Sequence, residues 1–80
     1  MKIAEVLVKV QGIFRDVFDN EELLVTEETS SDDVEDWDSL SHIQLVVAIE
    51  KNFGLKFTSK EILSWENVGE MCKEIAEKMP

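Results

Sequence analysis

The stretch Asp36-Trp37-Asp38-Ser39-Leu40, with His42 close behind it, holds the residue types in this chain that could do chemistry. A serine hydroxyl at the start of a helix lies near free backbone N–H groups and the positive end of the helix dipole. A phosphate esterified to it would occupy a favourable anion site. The dipole contributes only about 0.3–1 kcal/mol at an exposed helix end, far too little to retain a ligand by itself. A serine that must keep a phosphorylated group in place therefore needs a covalent bond, and its hydroxyl supplies one. The competing reading of Ser39 is an ordinary helix cap, a role serine often fills.

Three other chemistries are excluded by pattern. Ser39 and His42 would be neighbours on a helix. No third residue is placed to orient the imidazole, and no Gly-x-Ser-x-Gly turn exposes the serine, so a nucleophile–base pair is set aside and His42 is read as a surface residue. A calcium loop starting at Asp32 would need an oxygen ligand at Val34, a glycine at Trp37 and a glutamate at Ile43. A zinc site needs three or four clustered ligands, and the chain has a single cysteine, Cys72, and a single histidine, His42. Cys72 falls on the inner face of the last helix and reads as core. The tryptophans Trp37 and Trp65 read as packing over a small core.

A chain of 80 residues is at most one domain, and we take residues 1–80 as that domain. Its core is small and its stability margin thin. Hydrophobic residues make up 44% of the sequence, enough to fold. The formal net charge is −10, and twelve of the acidic residues lie between Arg15 and Lys51, an interval with no Lys or Arg. Such a field repels nucleic acid and anionic membranes and favours encounter with basic protein patches; on its own it could equally serve solubility. No basic start precedes an apolar run, and no stretch approaches the roughly 20 apolar residues of a membrane span. The expectation is a cytoplasmic chain that binds no nucleic acid and inserts in no membrane.

Four elements must position Ser39. Residues 2–18 repeat with helical period: Ile3, Val6, Leu7, Val10, Ile13, Phe14, Val17 and Phe18 fall within an arc of roughly 140°, with Lys2, Lys9, Arg15 and Asp16 outside it. Residues 19–38 lose that period and read as a long acidic loop anchored by Leu23, Leu24, Val25 and Val34; loops of this length are often functional. A second helix starts near Asp38–Ser39 and stops at Gly54. It carries two apolar stripes. Leu45, Val46, Ile49 and Phe53 lie on one side and Leu40, Ile43 and Val47 nearly opposite, so one stripe is left for a partner. Residues 58–64 form a short helix with Thr58 and Glu61 as its capping box. The last helix starts near Val68, capped by Asn67, with Val68, Met71, Cys72, Ile75, Ala76 and Met79 as its apolar stripe.

Asp38-Ser39-Leu40, followed by His42-Ile43-Gln44-Leu45-Val46-Val47-Ala48-Ile49-Glu50-Lys51-Asn52-Phe53-Gly54-Leu55 and, downstream, by Asn67-Val68-Gly69-Glu70-Met71, resembles the acyl carrier protein family. The resemblance covers nearly the whole chain. It implies an all-α fold: a four-helix bundle with three main helices, a short third helix and a long acidic loop between the first and second. It implies that Ser39 accepts 4′-phosphopantetheine from coenzyme A, the arm's thiol then holding an acyl group as a thioester. Asp38 would help a phosphopantetheinyl transferase position the reacting groups. Leu40, Ile43 and Val47 match partner-facing apolar positions, while Glu50 and the loop acids Glu35 and Asp36 would pair with basic patches on acyl-activating, condensing or acyltransferase enzymes. Leu45, Val46, Ile49 and Phe53 would face a core where an acyl chain can shelter. The protein would be a stand-alone monomer that catalyses nothing itself.

The sequence departs from familiar fatty-acid carriers at Asp36, where glycine is common, at Trp37, where a small residue is usual, and in a second helix whose exposed positions hold His42 and Gln44. A carrier dedicated to a specialised pathway fits these differences, with lipid, polyketide, aminoacyl and envelope-modification routes all open. The alternative is a small acidic interaction module with no prosthetic group, which explains the acid field and the second stripe but gives Ser39 nothing to do.

Overall fold

A computed structural model describes residues 2–79; Met1 and Pro80, the ends of the 1–80 span, lie outside the described residues. The order is α1 (Ile3–Val17), α2 (Ser39–Phe53), α3 (Ser59–Ser64) and α4 (Val68–Lys78). The apolar stripe of α1 buries Val6, Val10, Ile13 and Phe14 against both α2 and α4. These close on Leu45, Ile49 and Phe53 of α2 and Val68, Met71, Cys72 and Ile75 of α4. Burying one such side chain contributes roughly 1.5–3 kcal/mol, and this shared core is what fixes α2. Among the described residues no helix is long and apolar enough to cross a membrane.

Helix ends follow the local signals. At the end of α1 the Asn20 N–H reaches the Arg15 carbonyl and the Asp19 N–H that of Asp16. This double closure needs a left-handed residue, and Asp19 supplies it at φ 50°. Gly54 does the same for α2 at φ 67°. Thr58 and Glu61 form the expected reciprocal box on α3. Glu61 also reaches Lys78 of α4 at 3.1 Å. The Thr58 backbone N–H first, and then Lys78, hold its carboxyl down at about 2. The ionised link is therefore complete above the ordinary carboxylate range and is lost as pH falls from about 4.5 towards 2. Apart from this pair α3 is lightly held, since it buries none of its residues.

The loop 19–38 is strapped on two sides. On α1, Arg15 Nε donates to the Leu23 carbonyl at 2.8 Å, and Gln11 Oε1 accepts from the Val25 N–H at 2.9 Å. On α4, the Val68 and Gly69 N–H groups, which the helix cannot satisfy internally, donate to the carbonyls of Thr29 at 2.8 Å and Glu27 at 2.7 Å. Val25 and Val34 are buried anchors and Leu23 is half-buried. Leu24, expected as a fourth anchor, is 75% exposed. It stands between two inward-facing neighbours in a run without helix or turn, where successive side chains point to opposite sides.

The strap explains Gly69. A Cβ there would meet the Glu27 carbonyl oxygen at 2.8 Å and the Asn67 Oδ1 at 3.2 Å. Alanine in place of a helical glycine ordinarily gains about 1 kcal/mol. Here the clash with backbone costs about 1–3 kcal/mol, so Gly69→Ala should lower stability in denaturant titration. A gain would mean the loop does not sit against α4.

Candidate functional site

Ser39 is the first residue of α2, with Asp38 as its N-cap. The cap is built by Asp38 and Ser41, not by Ser39. The Ser41 N–H donates to Asp38 Oδ1 at 2.9 Å, and the Asp38 N–H donates to Ser41 Oγ at 2.8 Å. The Ser41 hydroxyl in turn faces the Asp36 carbonyl at 2.9 Å, with Asp38 O and Oδ1 also in reach. The Ser41 backbone N–H first, and then its hydroxyl, hold the Asp38 carboxyl below its ordinary range. These bonds leave the Ser39 hydroxyl outside them, on an exposed residue. The sequence points to Asp38 and Ser39 as cap residues; the structure gives the second role to Ser41, and serine three residues after an aspartate is the spacing a reciprocal cap uses.

Ser39 stands on the rim of an open groove of about 610 Å³ between the start of α2 and α3, with Trp37, His42, Ile62, Leu63 and Trp65 among its walls. Its aromatic wall is continuous with the core. Trp37 meets Phe14 edge-on at 5.1 Å. Its Nε1–H donates to His42 Nδ1 at 3.0 Å. An Nδ1 that accepts this bond carries no proton, so the imidazole N–H is at Nε2. His42 in turn meets Trp65 at 6.1 Å, and Trp65 meets Phe57 edge-on at 5.0 Å. His42, expected at the surface, is thus half-buried and tied to Trp37. The tie joins residues on a loop and a helix, and no helical period announces it. Trp65 Nε1 is buried and has no hydrogen-bond partner among the described residues.

The two stripes of α2 separate as the periodicity requires. Leu45, Val46, Ile49 and Phe53 are buried, while Leu40, Ile43 and Val47 are 66%, 60% and 43% exposed. Leu63 of α3, at 82% exposed, adds an apolar side chain the sequence had not singled out. Glu35 and Asp36 are exposed on the approach to Ser39. Glu50 does not join them: it is half-buried, and its Oε2 accepts from the Phe57 N–H at 2.9 Å, closing the α2–α3 connection. Among the described residues no three His, Cys, Asp or Glu side chains are grouped to hold a metal.

Comparison with known proteins bears on this arrangement. The family described as phosphopantetheine attachment site matches residues 8–75. No curated protein sequence matches at a significant level. Eighteen chains of solved structures do. Among them is the solution NMR structure of holo acyl carrier protein from Geobacter metallireducens, 38% identical, with 91% of this chain and 84% of that chain covered and a TM-score of 0.86. The matched span takes in α2, the groove, the greater part of α1 and most of α4, and the chain belongs to the phosphopantetheine attachment-site family.

Proposed function

We propose that Ser39 is the attachment residue and that the chain is an acyl carrier protein, carrying acyl or related carboxylic intermediates between enzymes and catalysing no step itself. The observation that carries this reading is the Ser39 hydroxyl: exposed, first in α2, outside the Asp38–Ser41 cap, and on the rim of the groove. The residues suit the group. An unengaged hydroxyl at a helix N-terminus accepts a phosphodiester without breaking a cap, and the groove beside it is walled by Trp37, His42, Ile62 and Trp65. When bound, the arm supplies a thiol that holds cargo as a thioester. The family's solved neighbour, named a holo acyl carrier protein, supports the cargo class. An interaction module without a prosthetic group leaves this hydroxyl without a role.

The remaining residues divide the work. Asp38, ionised and fixed by Ser41, holds the start of α2 and presents negative charge to the metal-bearing site of a phosphopantetheinyl transferase. Leu40, Ile43 and Val47 form the apolar docking face, with Leu63 beside them. Glu35 and Asp36 supply the acidic rim that meets basic patches on acyl-activating, condensing or acyltransferase enzymes. Glu50 contributes through the loop it closes more than through docking. In this reading residues 1–80 act as one carrier domain, a monomer in the cytoplasm, where coenzyme A is at hand. Partner association should slow steeply between 0.1 and 1 M salt, as the screening length falls from about 10 to 3 Å, with dissociation changed far less. A salt-independent on-rate would remove the acidic rim from the docking surface.

Loading tests the reading. Incubated with coenzyme A, Mg²⁺ and a promiscuous transferase, the protein should gain the mass of one phosphopantetheinyl group. Ser39 Oγ bonds to the phosphorus, the bond to adenosine bisphosphate breaks, and the hydroxyl proton is lost. No gain overturns the reading. Thiol titration reads the same event, because Cys72 is silent in the folded protein: it is wholly buried, and burial first, with the Glu27 charge second, pushes its thiol up to about 12. The native protein should show no fast-reacting thiol before loading and one after it.

A further inference from the structure

We propose that Trp65 is a docking donor for the arm: its indole N–H bonds an amide carbonyl of the pantetheine once the arm lies along the groove. The inference rests on Ser39 as attachment residue and goes beyond it, since attachment alone asks nothing of Trp65. The starting observation is an orphan. A buried N–H without a partner costs about 1–3 kcal/mol and calls for an explanation. Phe57, edge-on at 5.0 Å, offers at most a weak π acceptor. Trp37, the other tryptophan of the groove wall, has its N–H satisfied by His42. One indole is paired and the other is not, and both line the cleft that opens at Ser39.

Reach and chemistry point to the arm as occupant. It is tethered at the groove's own rim and spans on the order of 15 Å when extended, at the reach of about 3.5 Å for three backbone bonds. Its two amides therefore pass along a groove in a molecule whose largest extent is 32 Å. Planar amides and geminal methyl groups suit walls of Trp37, His42 and Ile62, and the amide carbonyls are acceptors where the wall has a donor to spare. The Trp65 N–H is closed off from water, so seating a carbonyl requires the ring to turn. Its position permits this: Trp65 is the residue that ends α3, the helix with no buried side chain.

The test is the indole ¹⁵N–¹H spectrum of the full chain in three forms: unloaded, carrying the arm, and carrying the arm with a short cargo in amide linkage. Trp65→Phe assigns the two indole signals. On attachment of the arm the Trp65 indole proton should move downfield, and by more than any shift of Trp37. A Trp65 signal unmoved by the arm overturns the proposal, and so does one that moves only when cargo is added, since that assigns the acceptor to the cargo. Loading is confirmed by mass in the same samples, so failure of Ser39 to accept the arm is seen separately from failure of Trp65 to engage it.

Discussion

Ser39→Ala should leave a folded protein that gains no mass from coenzyme A under any transferase, while Ser41→Ala should load normally and melt earlier. The two serines are two positions apart in the same helical turn, and their hydroxyls do different things. Ser41 exchanges hydrogen bonds with Asp38 in both directions and also reaches the Asp36 carbonyl. Removing its oxygen leaves the Asp38 N–H without its partner, at about 0.5–2 kcal/mol for a lost cap. Near its midpoint a domain of this size loses roughly 4–8 °C per kcal/mol, so Ser41→Ala should melt some 2–16 °C lower and still accept one arm. The Ser39 oxygen takes part in none of those bonds, so its loss should move the melting point by a degree or two and abolish loading completely. Intact mass and thermal melting of both variants check the pair. A loaded Ser39→Ala protein would move the attachment point elsewhere. An equally large melting loss in both variants would show that Ser39 is a cap after all.

Much of this arrangement could be read from local pattern. Helical period placed Val10, Phe14, Ile49 and Ile75 in the core and left Ile43 outside it, because an amphipathic stripe is written every three or four residues. Cap signals placed Asn67, Thr58 with Glu61, and Gly54 for the same reason: each is decided within one turn of chain. What stayed hidden depends on contacts between distant segments. Gln11 and Arg15 lie off the apolar arc of α1 and look like solvent-facing polar residues, yet they hold the loop by its backbone. Gly69 seems a poor choice inside a helix until Glu27 is brought against it. Trp37, His42 and Trp65 form one wall only when the end of the loop, α2 and the end of α3 converge. Glu50 has the charge of a docking residue, and only the return of Phe57 shows where that charge is spent.

Phe14→Ala should be the most damaging single change to the fold, and its consequences should reach the site. The side chain is fully buried where α1 meets α2 and α4, and it forms the floor beneath Trp37. Truncating a buried phenylalanine costs about 3–5 kcal/mol. A chain of 80 residues holds roughly 4–12 kcal/mol in all, at 0.05–0.15 per residue. The variant should therefore melt at least 12 °C lower by the same scaling, and be partly unfolded at 37 °C. Phe14→Leu separates the two consequences. It keeps most of the volume, costs less than about 1.5 kcal/mol if the core repacks, and should stay folded while losing the ring against which Trp37 stands. In that variant the Trp37 indole signal should move, because the Trp37–His42 bond is no longer backed from below, while α2 and its cap remain. A Phe14→Ala protein that melts within a few degrees of the parent would remove Phe14 from the centre of the core. A Phe14→Leu protein with an unmoved Trp37 signal would show that the groove wall is held from α2 alone.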